Sequence, residues 1–323
     1  CWMAWPCRKD LWGSHLEAAC DAYAEVAEAI AEFEPVTMIA RGDEVASVSM
    51  RTGTKVATMP LPHDDSWMRD NGPTFVINRQ GEVAGVDWIF NSWGEKYRPY
   101  DQDAAVAEAL LGRLKIKRYA APLVLEGGAI HVDGEGTCLT TEQCLLNPNR
   151  NPGLSKEEIE QHLKDYLGVS TVIWLAGDPL DQDTDGHVDG IACFAAPGKV
   201  LAVAPTRPDA PNAEALNENL RRLREARDAQ GRELEIVEVP QPQKAKWEEK
   251  DGLMIPSYIN FYLANEGGLI LPVYEDPMDQ KVIDLMEDVF PDRSVRPIPS
   301  MEIAYGGGMI HCITQQQPSG ALE

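Results

Sequence analysis

Basic residues are scarce in this sequence: 29 lysines and arginines stand against 52 aspartates and glutamates, a formal charge of -23 over 323 residues. With so little to replace phosphate counterions, binding to nucleic acid through a basic face is excluded. Long apolar runs are also missing, and none approaches the roughly 20 residues that cross a bilayer, so a membrane span is excluded. No CxxC pair occurs, and Cys1 with Cys7 or Cys138 with Cys144 are too widely spaced for a zinc knuckle. The seven cysteines are an odd set, not a disulfide framework, and reduced thiols in the cytoplasm are expected. The opening CWMAWPCRKDLW lacks the charged and apolar regions of a secretory signal. No Pro/Ser-rich linker divides the chain, so residues 1–323 are expected to form a single domain. What the acidic balance favours is a small cationic partner, whose local concentration an acidic mouth raises.

Repetition organises what is present. Five stretches read as a helix, then a short β-branched strand, then a polar, Gly-rich loop and a hairpin. The helices are predicted to begin near Asp43, Asp101, Ser155, Asn212 and Asp276, a period of roughly 54 to 64 residues. Ser155 and Glu158 form a capping box, and Gly231 is placed where the fourth helix should stop. The strands are KVATMPL, IKRYAAPL, TVIWLA, LEIVEVP and SVRPIP. The last hairpin, MIHCITQQQ, lacks its second strand, and the N-terminal WMAWP is expected to supply it and close a ring. An additional helix and strand precede the first unit. Five α/β modules about an axis are therefore predicted, with a doubly wound sheet and separate cap as the alternative.

In such a ring, equivalent positions converge on the axis, and the unusual residues occupy equivalent positions. HDDSWMRDNGP, LEGGAIHVDGEG, DQDTDGHVDG and YGGGMIHC each fall between strand and hairpin. Cys312 follows three glycines that permit a close ligand approach, which separates it from buried structural thiols such as Cys20 and Cys193. A thiol needs a base or cationic surroundings to become a nucleophile. His311 is not that base if the segment is a strand, because neighbouring side chains then point to opposite faces. His131-x-Asp133 and His187-x-Asp189 repeat one pattern, and strand alternation would put each His and Asp on one face. Metal binding competes, yet no further His or Cys stands at ligand spacing. Asp181-x-Asp183-x-Asp185-Gly186 imitates a calcium loop, but Ala192 stands where a bidentate Glu is required. In DDSWMRD, Asp65, Asp70 and Trp67 combine carboxylates with an aromatic face, which suits a planar cation such as guanidinium.

Read together, WMAWP, DDSWMRDNGPTFV, LEGGAIHVDGEGT, LLNPNRNP, DTDGHVDG, SYINFYLAN, FPDR and GGGMIHCITQQ resemble blocks of the agmatine deiminase family, relatives of the Porphyromonas-type peptidylarginine deiminases. The resemblance implies a five-fold pseudosymmetric α/β propeller, the pentein fold. It further implies that Cys312 is the nucleophile, His187 the general acid/base, Asp70 and Asp189 the carboxylates that hold the guanidinium, and Glu126 the residue that orients His187. Trp67, Trp93, Asp65 and Gly308 are expected around the substrate. Asp183 and Asp185 are candidates for its amine end by position. Met309 and Asn71 depart from the commoner GGGNIHC and RDTGP. No cofactor or metal is implied.

The chemistry expected is hydrolysis of agmatine to N-carbamoylputrescine and ammonia through a covalent thiouronium. Peptidylarginine or another guanidine is the alternative substrate. An amidinotransferase and a non-catalytic polyamine- or calcium-binding protein are further alternatives, and a homo-oligomer is left open.

Overall fold

The β-branched segments form the strands their composition favours. In this computed structural model, which describes residues 1–243 and 256–320, they run Val56–Pro60, Lys117–Val124, Thr171–Leu175, Glu235–Pro240 and Ser294–Pro299. Each of the last four lies parallel to the second strand of the hairpin before it: Val83–Ile89, Thr137–Thr141, Lys199–Ala204 and Gly268–Val273 respectively. Parallel neighbours require a long crossover, supplied here by the helices Val106–Leu114, Lys156–Leu167, Ala213–Glu225 and Asp279–Val289. The structural unit is thus hairpin, helix, strand. The sequence-based unit was out of phase, because each hairpin pairs with the helix and strand that follow it. The polar loop after each strand is the chain passing from one sheet to the next.

Four three-stranded sheets arise in this way. The fifth has the order Thr314–Gln315, Trp2–Ala4, Val36–Ala40, Val56–Pro60. Trp2 pairs with Gln315 and Met3 with Thr314, antiparallel, so WMAWP closes the ring as expected. The additional helix Leu16–Ile30 and strand Val36–Ala40 are inserted in this sheet, which makes it four-stranded. The architecture is an α/β propeller of five sheets, and no helix among the described residues is long and apolar enough to cross a membrane.

Local signals explain the helix ends. Ser155 Oγ accepts from Glu158 N while the Glu158 carboxylate accepts from Ser155 N, the expected capping box. Gly231, however, ends no helix: the fourth helix stops at Glu225, and Gly231 turns with φ 79° inside a loop held by the Asp228 carboxylate. The largest core cluster packs the alanine-rich face of Leu16–Ile30 against Met3, Trp5 and Trp12. Trp12 stacks on Trp67, ring centroids 6.0 Å apart, and so ties this core to the acidic turn.

Candidate active site

Loops that follow strands of five sheets meet at one buried cluster. The turn bearing Asp70 is fastened to the segment bearing Cys312 by its own backbone, since Arg69 N donates to Cys312 O at 3.1 Å. The Arg69 guanidinium strengthens the tie by donating to Gln315 Oε1 at 2.6 Å. His311 and Cys312 lie in a turn, not a strand; the strand begins only at Thr314. Strand alternation therefore does not apply, and both side chains reach one oxygen. Asp189 Oδ2 lies 2.8 Å from His311 Nδ1 and 3.6 Å from Cys312 Sγ. Asn260, which sequence reasoning did not single out, holds Cys312 from the other side: its Oδ1 is 3.5 Å from Cys312 Sγ and accepts from the backbone N of His311 at 2.9 Å.

His187 is fully enclosed between carboxylates. Its Nε2 is 3.5 Å from Glu126 Oε2 and its Nδ1 is 3.9 Å from Asp70 Oδ1. The Glu126 carboxylate is fixed by Arg150 Nε at 2.8 Å, and Arg150, although it falls in the LLNPNRNP block, is a residue to which the sequence assigned no role. Asp70 accepts from Trp93 Nε1 and from Gly128 N, each at 2.9 Å. The chain presents Trp93 through an unusual stretch in which Ser92, Trp93, Gly94 and Glu95 all have positive φ. The Gly-Gly of LEGGAI has a packing reason: a Cβ at Gly128 would lie 2.6 Å from His187 Nδ1 and 2.9 Å from Asp70 Oδ1. At Gly308 a Cβ would meet the Trp67 ring at 2.2 Å.

Protonation follows from burial set against partners. Burial alone would lower the His187 pKa, but Asp70, Cys144 and Glu126 together raise it well above the ordinary imidazole value. Burial, with Asp189 and Glu126, lifts the Asp70 carboxyl to about 6 despite the opposing pull of His187. Burial also works to raise Asp189 and Glu126, yet His311 keeps the first and Arg150 the second below the usual carboxylate range. Near neutral pH the site therefore holds an imidazolium and ionised Asp70, Asp189 and Glu126. Burial and the charges of Asp189 and Asp70 push the Cys312 thiol well up, so it rests protonated.

Two small cavities reach Cys312. One, of about 40 Å³, is lined by Asp178, Asp181, His187, Asp189 and Met309 among others. The other, of about 30 Å³, is lined by Trp67, Asp70, Trp93, Tyr97, Asp183 and Asp65 among others. Asp65 faces this space but is already paired, its Oδ2 3.1 Å from Arg8 Nε. Asp183 sits at the same wall, where it accepts from Tyr97 Oη at 3.3 Å. Asp185 does not belong there. Lys96 Nζ and Arg150 Nη1 each lie 2.9 Å from its carboxylate, so its charge is matched and turned away from the cavity. The calcium-like string likewise disperses: Asp181 accepts from the backbone N of Thr184 and His187, while Asp183, Asp185 and Asp189 face the separate partners given above.

The two His-x-Asp copies are not equivalent. His187 precedes a short 3-10 turn, Val188–Gly190, whereas His131 is in a strand and half-buried, its Nδ1 accepting from Phe194 N at 3.3 Å. Burial, His311 and Arg69 lower the His131 pKa to about 3, leaving it neutral. Asp133 caps its hairpin by accepting from Glu135 N and Thr137 N, both at 2.8 Å. Of the two departures from the commoner motifs, Met309 lines the first cavity and its sulfur accepts from Ser257 N at 2.9 Å. Asn71 faces away and holds the turn through Asp103 Oδ1 at 3.2 Å.

A closed ring of α/β units with a thiol, an imidazole and several carboxylates on its axis defines a class of propeller suited to guanidinium chemistry. The chain matches the Porphyromonas-type peptidyl-arginine deiminase family over residues 1–318, and it belongs to that family. It is 44% identical over 340 residues to the agmatine deiminase of Pseudomonas aeruginosa strain LESB58, covering 98% of this chain and 92% of that one. Its structure superposes on the agmatine deiminase of Enterococcus faecalis with a TM-score of 0.94 at 39% identity, covering 98% of this chain and 92% of that one. A Cys-to-Ser variant of the C. jejuni agmatine deiminase, solved with substrate bound, matches with a TM-score of 0.88 at 27% identity, covering 99% of this chain and 93% of that one.

Proposed function

We propose that this chain, as one catalytic unit across residues 1–323 in the cytoplasm, hydrolyses agmatine to N-carbamoylputrescine and ammonia. The observation that carries the reading is the meeting of Cys312, His187, Asp70 and Asp189 around cavities that contain, among the described lining residues, no Arg or Lys. A free-arginine enzyme needs a cation for the substrate α-carboxylate. The lining offers carboxylates instead, and Asp183, which lines the same cavity as Asp70, receives the amine end.

The mechanism follows from the charges. A guanidinium held between Asp70 and Asp189 compensates the two charges that, after burial, raise the Cys312 pKa. Substrate binding thus favours the thiolate, whose proton leaves to solvent. Orientation brings the sulfur to near-attack distance of the central carbon, and a C–S bond forms. The His187 imidazolium gives its proton to the departing nitrogen, the C–N bond breaks, and ammonia leaves. Neutral His187 then takes a proton from water, the hydroxide adds to the thiouronium carbon, and collapse breaks the C–S bond, the hydroxyl proton going to sulfur. Glu126, locked to Arg150, holds the ring of His187 through both transfers.

Ammonia release from agmatine, free arginine and a blocked arginine peptide tests this. Agmatine is expected to be the best substrate, Cys312→Ser to release none, and Asp183→Asn to raise KM about 10-fold with kcat less affected. Preference for the blocked peptide would transfer the assignment to peptidylarginine, and turnover retained in Cys312→Ser would remove the nucleophile.

A further inference from the structure

On the side of His187 facing Glu126, three donor atoms of different chemistry lie together. Glu126, Cys144 and His187 are all buried, and each offers a ligand atom within 4.8 Å of the other two. Glu126 Oε2 is 3.5 Å from His187 Nε2 and 3.9 Å from Cys144 Sγ. Tetrahedral zinc, bound at about 2.0–2.1 Å to nitrogen and oxygen and about 2.3 Å to sulfur, sets such atoms about 3.3–3.6 Å apart. The two separations from Glu126 Oε2 are within a few tenths of an ångström of those values, and all three atoms lie within 4.8 Å of one another. Glu126 Oε1 is occupied by Arg150, which leaves Oε2 for a metal. Neither ring nitrogen of His187, although buried, makes a well-formed hydrogen bond, so ligation at Nε2 displaces none. Carboxylate, imidazole and thiolate together suit zinc far better than magnesium or calcium.

We propose that Glu126, Cys144 and His187 form an inhibitory zinc site inside the enzyme. The Zn–S and Zn–N bonds form as the Cys144 S–H and His187 Nε2–H bonds break, and both protons pass to the buffer. Two anionic donors then match the dication, with the fourth position left to water. An imidazole ligated through Nε2 is held in one protonation state and cannot carry a proton between leaving group and water. The cavity that His187 lines together with Asp178, Asp181 and Asp189 carries carboxylates that attract cations toward the ring. Agmatine, also a cation, enters the same acidic space and opposes the metal.

Cobalt(II) added to the metal-free full chain tests the site without turnover, so its outcome is independent of the deiminase reading. One equivalent is expected to produce thiolate-to-cobalt absorption that zinc abolishes, that persists in Cys312→Ala, and that is absent in Cys144→Ala and in the closer-fitting Cys144→Ser. Absence of the band from the unaltered chain, or its loss in Cys312→Ala with retention in either Cys144 variant, overturns the proposal. Zinc should also slow ammonia release reversibly to chelator, and the inhibition constant should rise about 10-fold or more in Cys144→Ser, each protein compared with its own metal-free rate. An unchanged constant in Cys144→Ser places the metal elsewhere and equally refutes the site.

Discussion

Gly128→Ala adds a single methyl group at the tightest point of the site. The backbone there lies outside the left-handed region, so alanine brings no dihedral strain, and the whole effect comes from the new carbon. That carbon would stand 2.6 Å from His187 Nδ1, 2.9 Å from Asp70 Oδ1 and 3.1 Å from Asp189 Oδ2, whereas ordinary contact begins near 3.4 Å. The imidazole must retreat by the better part of an ångström, and it has Glu126 behind it. A misplacement of about 1 Å costs on the order of 100-fold in rate, or about 2.7 kcal/mol in the barrier. Overpacking a buried position costs about 1–3 kcal/mol of stability, a drop of several degrees in Tm rather than loss of the fold. Steady-state ammonia release together with a thermal melt separates the two effects. Turnover within about threefold of the parent enzyme, from a folded variant whose His187 has not moved, would refute the argument that this glycine exists to make room for His187, Asp70 and Asp189.

Two further outcomes follow from the buried carboxyls. Because Asp70 is lifted to about 6, kcat/KM should fall on the acid side with an apparent pKa near 6. Trp93→Phe, which removes the donor to Asp70 Oδ2, should move that limb upward and lower kcat/KM at neutral pH about 10-fold; an unmoved limb would take Asp70 out of the profile. Burial raises Asp103 to about 7 even though Asp64 N and Asp65 N donate to it. A carboxyl with a folded pKa above its unfolded one stabilises most below the unfolded value, near 4, and that stability is lost as pH rises toward 7. Asp103→Asn should therefore flatten the fall in unfolding free energy between pH 4 and 7 by up to about 1.4 kcal/mol per pH unit, measured in denaturant melts, and an unchanged slope would contradict it.

What the sequence disclosed best were elements with strong local chemistry. TVIWLA and SVRPIP announce strands through β-branching, and Ser155 with Glu158 announces a helix start, because these signals act over a few residues. The site candidates carried by motifs, Cys312, His187, Glu126, Asp70 and Asp189, do come together, since loops at equivalent positions of a ring must converge. Supporting roles were invisible for the opposite reason. Arg150 and Asn260 fall in blocks the sequence marks, LLNPNRNP and SYINFYLAN, and Cys144 in none, yet the role of each comes only from the distant loop it is folded against. Periodicity also misled where the backbone leaves regular structure: His311 and Cys312 lie in a turn, and both face one carboxylate. Asp185 looked like a free acid because its partners, Lys96 and Arg150, lie 89 and 35 residues upstream.

The join that completes the ring consists of two residue pairs, Trp2 with Gln315 and Met3 with Thr314, and Cys312 is only two positions upstream of it. Closure and chemistry are therefore welded at one seam. Loosening there is expected to displace Cys312 from Asp189 while the other four sheets stay intact, so this enzyme should lose its activity as a ring unclasping, well before it loses its shape.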